Sequence, residues 1–389
     1  MRIALDSISQ YSIIRSLLYV ENENLYIVGG CVRDLLLNVP LTDLDVVLER
    51  KSLSIINNLE QIFGVTKKTL SQFLTFKLKS PKIVIDVAQA RSERYEHPGA
   101  LPEVTPCYDI VKDLKRRDFT INSMAIQLYP RTFYLMDPLG GFEDLKKRIL
   151  RVNKQGSFMD DPTRAFRAIK YTYRFNLYLD ASTEREFENA KKSLPMVSFP
   201  RIKREVELYA AEERRLLMFA ELGKRNILFH WNNMFDTFDY DLLVEMDRIL
   251  PRKQSVWCLF LIPFGLEHYF IHNKDKFTVS ERRTLEKIFG HGTPEITVGA
   301  LHKIFKDEAP EGVRAWGLLN GVDERIIDKY ITERGKLNPS ISIQYIIERV
   351  KDPKLSREFY EKIEEALLEG IIRPGEEKEF LEKLLTRLC

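Results

Sequence analysis

The 389-residue sequence predicts an α+β protein with a small β-sheet in its first third and helices through the remainder. Three observations lead to that class. Short apolar runs that read as strands fall only before residue 140, at 25–28, 44–48, 73–79, 82–89 and 133–136. Helical patterns separate them at about 31–38, 51–63 and 119–127. From about 141 onward almost every segment has helical spacing, punctuated by Pro195, Pro200, Pro251 and Pro263. The length exceeds one ordinary core and predicts two or three domains.

The elements follow in order. Tyr26–Val28 reads as a buried strand, Gly29-Gly30 as a turn where the backbone comes close to something, and Val32–Leu37 as a helix. The N-terminus of such a helix presents unpaired N–H groups to a phosphate. Leu44–Leu48 is the next strand. Side chains alternate along a strand, so Asp43 and Asp45 project on one side, where two carboxylates can share a pair of Mg²⁺ ions. Together, YIVGGCVRDLLLNVPLTDLDVVLE at 26–49, with Arg33 in the first turn of its helix, resembles the signature of the DNA polymerase β-type nucleotidyltransferases.

Composition sets bounds on the rest. An apolar content of 44% is that of a folded protein, and no run approaches the ~18–20 apolar residues of a membrane span. The N-terminus lacks the basic-then-apolar pattern of a signal peptide, so a cytoplasmic protein without membrane partners is expected. Cys31, Cys107, Cys258 and Cys389 form no C-x-x-C pair, which argues against a zinc site or a disulfide framework. His268 and His272 lack a third ligand and read as surface or packing residues. A net charge of +3 is modest, so a nucleic-acid surface has to come from clustering, and clusters stand at 112–117, 146–154 and 201–204.

A second motif, KRRDFTINSMAI at 115–126, places Arg116 and Arg117 ahead of an expected helix with Ile121, Met124 and Ala125 inward. Its wording resembles a motif of the class II tRNA nucleotidyltransferases and bacterial poly(A) polymerases. A third, DDPTRAFRAIKYTYRF at 160–175, resembles the helix with which those enzymes read the incoming base. Pro162 suits a first helical turn, and Asp161, Arg164, Arg167 and Lys170 recur every three residues as a slowly turning stripe. FPRIKREVEL at 199–208 resembles the family's neck motif, so the likeness covers about residues 25–210.

The resemblance implies a polymerase-β-like nucleotidyltransferase head at 1–140, a helical neck at 141–210 that recognises the base, and a helical body and tail at 211–389 that bind tRNA. It implies transfer of C and/or A from CTP or ATP to the tRNA 3′ end, with release of pyrophosphate. Asp43 and Asp45 carry over as catalytic metal ligands for Mg²⁺, and Gly30, Arg33 and Arg117 as nucleotide-binding residues. Asp161 and Arg164 carry over to the base edge, and Arg167 to the triphosphate or to helix support. Lys170 stands where these enzymes usually have arginine, so only a point donor is expected there. Cytosine and adenine each present an amino donor beside a ring-nitrogen acceptor, and one carboxylate with one guanidinium matches both.

Asp86, in the apolar run KIVIDVAQA, is either a third carboxylate of the site or a hydrogen-bonded structural acid. Residues 91–114 lack periodicity, contain three prolines and read as a long loop. The segment resembles the flexible loop of complete CCA-adding enzymes, which argues against a CC-only enzyme. Complete CCA addition, addition of the terminal A alone and poly(A) synthesis all stay open. The segment 351–389, with ten acids against eight bases, weighs against unspecific RNA binding. A non-catalytic RNA-binding protein is the reading from another class, and the intact Asp43/Asp45 pair counts against it.

Overall fold

The computed structural model describes residues 14, 17 and 24–386, apart from 42, 51–52, 71–74, 82, 130–132, 229–236 and 291–295. Its chain divides into two compact units, Met1–Glu205 with Arg225–Asn232, and Val206–Lys224 with Asn233–Cys389.

The first unit is built on a seven-stranded sheet. Its strands are β1 (Leu25–Val28), β2 (Asp43–Leu48), β3 (Lys67–Leu70), β4 (Thr75–Lys79), β5 (Val84–Gln89), β8 (Ala125–Tyr129) and β9 (Leu135–Met136), in the spatial order β3-β4-β5-β2-β1-β8-β9. Only β2 and β5 run parallel, with Asp45 opposite Asp86. Helices α1 (Gly30–Leu36) and α2 (Leu53–Phe63) follow β1 and β2. The expected strand starts at 73 and 82 and the helix start at 51 lie outside the described residues; the remainder of each expectation is met by β4, β5 and α2.

Two expectations are corrected. The segment 119–127 is not a helix: a single 3₁₀ turn, Thr120–Asn122, leads into β8, which pairs antiparallel with β1, Ala125 opposite Val28. Met124, Ala125 and Ile126 are all fully buried, and a short apolar run buried on every side carries no periodicity to separate strand from helix. Nor is 91–114 a structureless loop. Strands β6 (Arg91–Arg94) and β7 (Glu103–Pro106) pair as a hairpin, and helix α3 (Ile110–Lys115) follows, its first turn capped by Asp109. The two strands are polar and largely exposed, so neither shows the apolar alternation that marks a strand.

Helices α4 (Gly141–Lys146), α5 (Ser157–Asp160), α6 (Thr163–Phe175), α7 (Ala181–Ser193) and α8 (Phe199–Ala210) follow, together with a small parallel pair, β10 (Ile149–Leu150) and β11 (Tyr178–Leu179). Edge-to-face rings bind these helices to the 119 turn. Phe119 lies 6.0 Å from Phe158 and 5.8 Å from Tyr171, and Phe158 lies 5.5 Å from Phe187. Each such pair adds about 0.5–1.5 kcal/mol beyond burial, so α6 is held rigidly against the sheet residues that precede it. An isolated bridge joins Phe119 to Val152. Next to it, Asn153 Nδ2 donates to the carbonyls of Leu114 and Arg117 and to Ser123 Oγ.

The second unit is helical among its described residues. It comprises α9 (Arg215–Lys224), α10 (Tyr240–Ile249), a 3₁₀ stretch at Gln254–Phe264, α11 (Leu266–His272), α12 (Val279–Gly290), α13 (Val298–Phe305), α14 (Pro310–Leu319), α15 (Glu324–Lys336), α16 (Ile343–Val350), α17 (Pro353–Leu368) and α18 (Glu377–Thr386). Buried Arg215 anchors it by donating to the Asp247 carboxylate and to the carbonyls of Leu250 and Pro251. No helix is long and apolar enough to cross a membrane among the described residues.

Candidate functional site

A cavity of about 1050 Å³ opens within the first unit, lined by residues of the sheet, of the 91–117 segment and of helices α6 and α8. All the residues singled out from the sequence as nucleotide- or metal-binding line it: Gly30, Arg33, Asp43, Asp45, Arg117, and the stripe Asp161, Arg164, Arg167 and Lys170. Asp86 lines it as well.

The glycine turn brings the first group together. Gly29 has φ +69° and ψ −133°, a backbone conformation that favours glycine, and a Cβ there would lie 2.5 Å from Arg117 Nη1, which would have to shift. The turn starts α1, which places Arg33 at the wall. Arg33 is 4% exposed, donates to Asp34 and Asn122, and stacks 4.2 Å from the Phe175 ring centroid. Its planar charge is thereby aimed and partly desolvated, a cation–π contact of ~1–2 kcal/mol.

Three carboxylates form one wall. Asp43 begins β2, Asp45 follows on the same face, and Asp86 stands beside Asp45 on β5. Burial pushes the Asp45 carboxyl up to about 6; Arg117 opposes the rise, while Asp43 and Asp86 reinforce it. Asp86 Oδ2 accepts from Lys77 at 2.8 Å, but its Oδ1 is buried without a partner. A crowded acid held up by its neighbours and an orphaned carboxylate oxygen both fit a cation. Among the described residues no group of three or more His, Cys, Asp or Glu is arranged to enclose a metal ion. The donor set therefore fits an open Mg²⁺ site, where one or two carboxylates act with waters and substrate phosphates, rather than a closed cage. His268 and His272 take no part: His272 Nδ1 contacts the His268 carbonyl within α11.

Arg117 and Arg116 are aimed by Asp113, which is fully buried. Asp113 accepts from Arg116 Nε and Nη2 and from Arg117 Nη2. Burial alone would raise its carboxyl, but Arg117 and Arg116 more than offset that and hold it below the usual range. Cys31 Sγ donates to the Asp43 carbonyl and accepts from Asp45 N. Burial, then Asp45, push its thiol far up, so it stays protonated here.

The lining contributed by α6 is rich in basic residues. Arg164, 4% exposed, donates to Ser157 Oγ at 2.7 Å and to the Arg116 carbonyl at 3.2 Å, and its Nε is buried without a partner. Asp161 sits just before α6 and accepts on Oδ1 from Thr163 N, Thr163 Oγ1 and Arg201 Nη2. Arg167 is ion-paired with Asp118 at 2.6 Å. Burial works against its charge, but Asp118 raises it well above its ordinary range. Lys170 is buried beside the Tyr171 ring.

Several lining residues escaped the sequence reading as individuals. Arg201, in α8, donates to the Gly99 carbonyl at 2.5 Å as well as to Asp161, so it ties the tip of the β6–β7 hairpin to the stripe. Glu205, one helical turn later, has an unpartnered Oε2, and burial pushes its carboxyl up against the pull of Arg167 and Lys170. Tyr95 reaches Arg164 and Glu93, and Glu93 accepts from Arg116. The signal available for Arg201 and Glu205 was their i, i+4 spacing in the 199–208 motif; nothing local marked Tyr95 or Glu93.

Such a cavity can bind a polyanion between carboxylates that attract cations and a basic wall whose hydrogen-bonding atoms are already oriented. Comparison with known proteins gives the same direction. The family described as "Poly A polymerase head domain" matches residues 25–151. An A-adding tRNA nucleotidyltransferase of Halalkalibacterium halodurans is 29% identical over 82% of this chain and 78% of its own. A solved CCA-adding enzyme, apo form II, superimposes with a TM-score of 0.74 at 27% identity over 99% of this chain and 97% of that one. A Thermotoga maritima CCA-adding enzyme complexed with tRNA-CCA gives a TM-score of 0.70 at 26% identity, over 100% and 97%.

Proposed function

The chain belongs to the class II tRNA nucleotidyltransferase family, which includes the CCA-adding enzymes and bacterial poly(A) polymerases, and on that basis we propose that it adds C and/or A to the 3′ end of tRNA. CTP and ATP are the donors, and no nucleic-acid template is read. The observation that carries this reading is the single cavity lined on one side by Asp43, Asp45 and Asp86 and on another by the Asp161–Lys170 stripe.

Divalent metal use goes with the family, and Mg²⁺ is the ion assigned here to Asp43 and Asp45. When bound, it supplies the charge that lowers the pKa of the RNA 3′-hydroxyl and neutralises the departing pyrophosphate. Asp86 lines the same cavity beside this pair, and its buried, unpartnered Oδ1 supports the reading of it as a further acid of the site, while its Oδ2 is paired with Lys77. Arg33 and Arg117 bind phosphate or ribose, each held by acids and, for Arg33, by aromatic faces. Gly30 lets the backbone approach closely at the N-terminus of α1.

Asp161 and Arg164 read the base. The Arg164 Nε still lacks a partner, and Asp161 is fixed by Thr163 and Arg201, so a carboxylate and a guanidinium meet the base already oriented. Arg167 serves mainly as helix support through Asp118, with Lys170 as a point charge for phosphate. The partition proposed is a head at 1–140, a base-reading neck at 141–210 and a tRNA-binding body and tail at 211–389, acting in the cytoplasm.

The test is a single-nucleotide addition assay with Mg²⁺ and three tRNAs, ending before CCA, after C and after CC, each offered CTP, ATP or both. Addition of A only after CC makes the protein an A-adding enzyme like its Halalkalibacterium relative. Two C's followed by one A make it a complete CCA-adding enzyme like the solved neighbours. Long A tails on any RNA favour poly(A) synthesis, and no transfer under any condition overturns the catalytic reading.

A further inference from the structure

Strand β2 is paired along its whole length on one side and only partly on the other. Its parallel neighbour β5 runs beside every residue from Asp43 to Leu48. On the other side β1 meets only Val46, Val47 and Leu48, because β1 ends at Val28 and the chain turns away at Gly29. Among the described residues, the pairing with β1 does not extend to Asp43 and Asp45 on that side.

Cys31, at the start of α1, occupies the gap. Its Sγ donates to the Asp43 carbonyl oxygen at 3.5 Å and accepts from the Asp45 N–H at 3.1 Å, and the residue is 3% exposed. A residue of a parallel strand would make the same pair of contacts, donating to one residue and accepting from the residue two places on. Here one thiol group, both donor and acceptor, takes that place. The glycine turn and the acid pair are therefore joined through a side chain.

We propose that Cys31 is a positioning residue for Asp43 and Asp45, setting the backbone from which both carboxylates face the cavity. The proposal rests on the reading of those carboxylates as metal ligands. The two hydrogen bonds of Cys31 run to backbone atoms of the acid pair, so its effect appears in how well the acids hold a cation, not in binding of tRNA.

Three full-length variants separate the possibilities: Cys31→Ala removes both contacts, Cys31→Val removes them while filling the space, and Cys31→Ser keeps a donor and an acceptor. Mn²⁺ binding is measured by electron paramagnetic resonance with ATP and without tRNA, and the Mg²⁺ concentration for half-maximal transfer is measured alongside. Alanine and valine should each weaken Mn²⁺ binding and raise the Mg²⁺ requirement by about tenfold or more, the usual size of an outer-shell loss, with serine closer to wild type and the KM for tRNA unchanged. Wild-type Mn²⁺ binding in a folded alanine or valine variant overturns the proposal. Asp43→Asn is the control: if it keeps wild-type Mn²⁺ affinity, the metal assignment itself fails, and the role given to Cys31 falls with it.

Discussion

Asp45 stands directly opposite Asp86 in the parallel pairing of β2 with β5, and each of the two carboxylates carries a sign of unmet demand. Asp45 is held up to about 6 by burial and by its acidic neighbours, and Asp86 keeps a buried oxygen without a donor. A folded-state pKa above the unfolded value means that the folded protein binds the extra proton between the two. Stability therefore falls as pH rises from about 4 to about 6, and the cost is complete above that. At pH 7.5 without metal, Asp45→Asn should stabilise the protein by up to about 3 kcal/mol, and the gain should vanish toward pH 4. Urea unfolding at both pH values checks the sign; equal gains at both would refute it. In the transfer assay the same variant should be inactive.

Asp43→Ala should abolish transfer while tRNA binding persists. Filter binding of labelled tRNA beside the addition assay makes the comparison, and retained turnover would remove Asp43 from the metal site.

Arg164→Ala deletes a guanidinium that lines the cavity and is anchored to Ser157 and to the Arg116 carbonyl. Loss of a charged hydrogen bond to the base should reduce discrimination of CTP and ATP from UTP and GTP by about 10- to 100-fold, with the Mg²⁺ requirement unchanged. Competition among the four nucleotides provides the readout; intact selectivity would move base reading elsewhere.

Gly29→Ala should lower stability by about 1–3 kcal/mol through its positive-φ backbone alone. Its methyl would also displace Arg117 Nη1, so transfer should fall more steeply than stability explains. Thermal melting and kcat measured on one preparation separate the two effects.

Asp113→Ala leaves Arg116 and Arg117 without the buried acid that aims them and should cost about 3–5 kcal/mol. Because the Asp113 carboxyl is held below its ordinary range, the wild-type advantage is present above about pH 4 and is lost as pH falls through that lowered value. Denaturant titrations of both proteins at neutral and acid pH should converge at the acid end.

The β1–α1–β2 unit was legible because its chemistry is local: two glycines mark the turn, and Asp43 and Asp45 lie two residues apart on a strand. The stripe from Asp161 to Lys170 was legible for the same reason, as spacing within one helix. What failed was decided at long range. Residues 125–129 form a strand because Val28 and its neighbours are there to pair with, and nothing inside SMAIQLY carries that information. The hairpin around Tyr95 has exposed polar strands and makes its contacts with residues such as Arg116, Arg164 and Arg201, up to 102 positions away. Cys31 looked like an incidental thiol because its partners are backbone atoms, which a sequence does not distinguish.

The bridge from Phe119 to Val152 and the threefold grip of Asn153 bear on how this protein can be recombined. A chimera joined near residue 140 would import the Arg116–Arg117 segment without the asparagine that fastens it and without the ring partners of Phe119. Functional grafts between relatives should therefore tolerate crossovers beyond Asn232, where the first unit's second stretch of chain ends, and fail between 118 and 153.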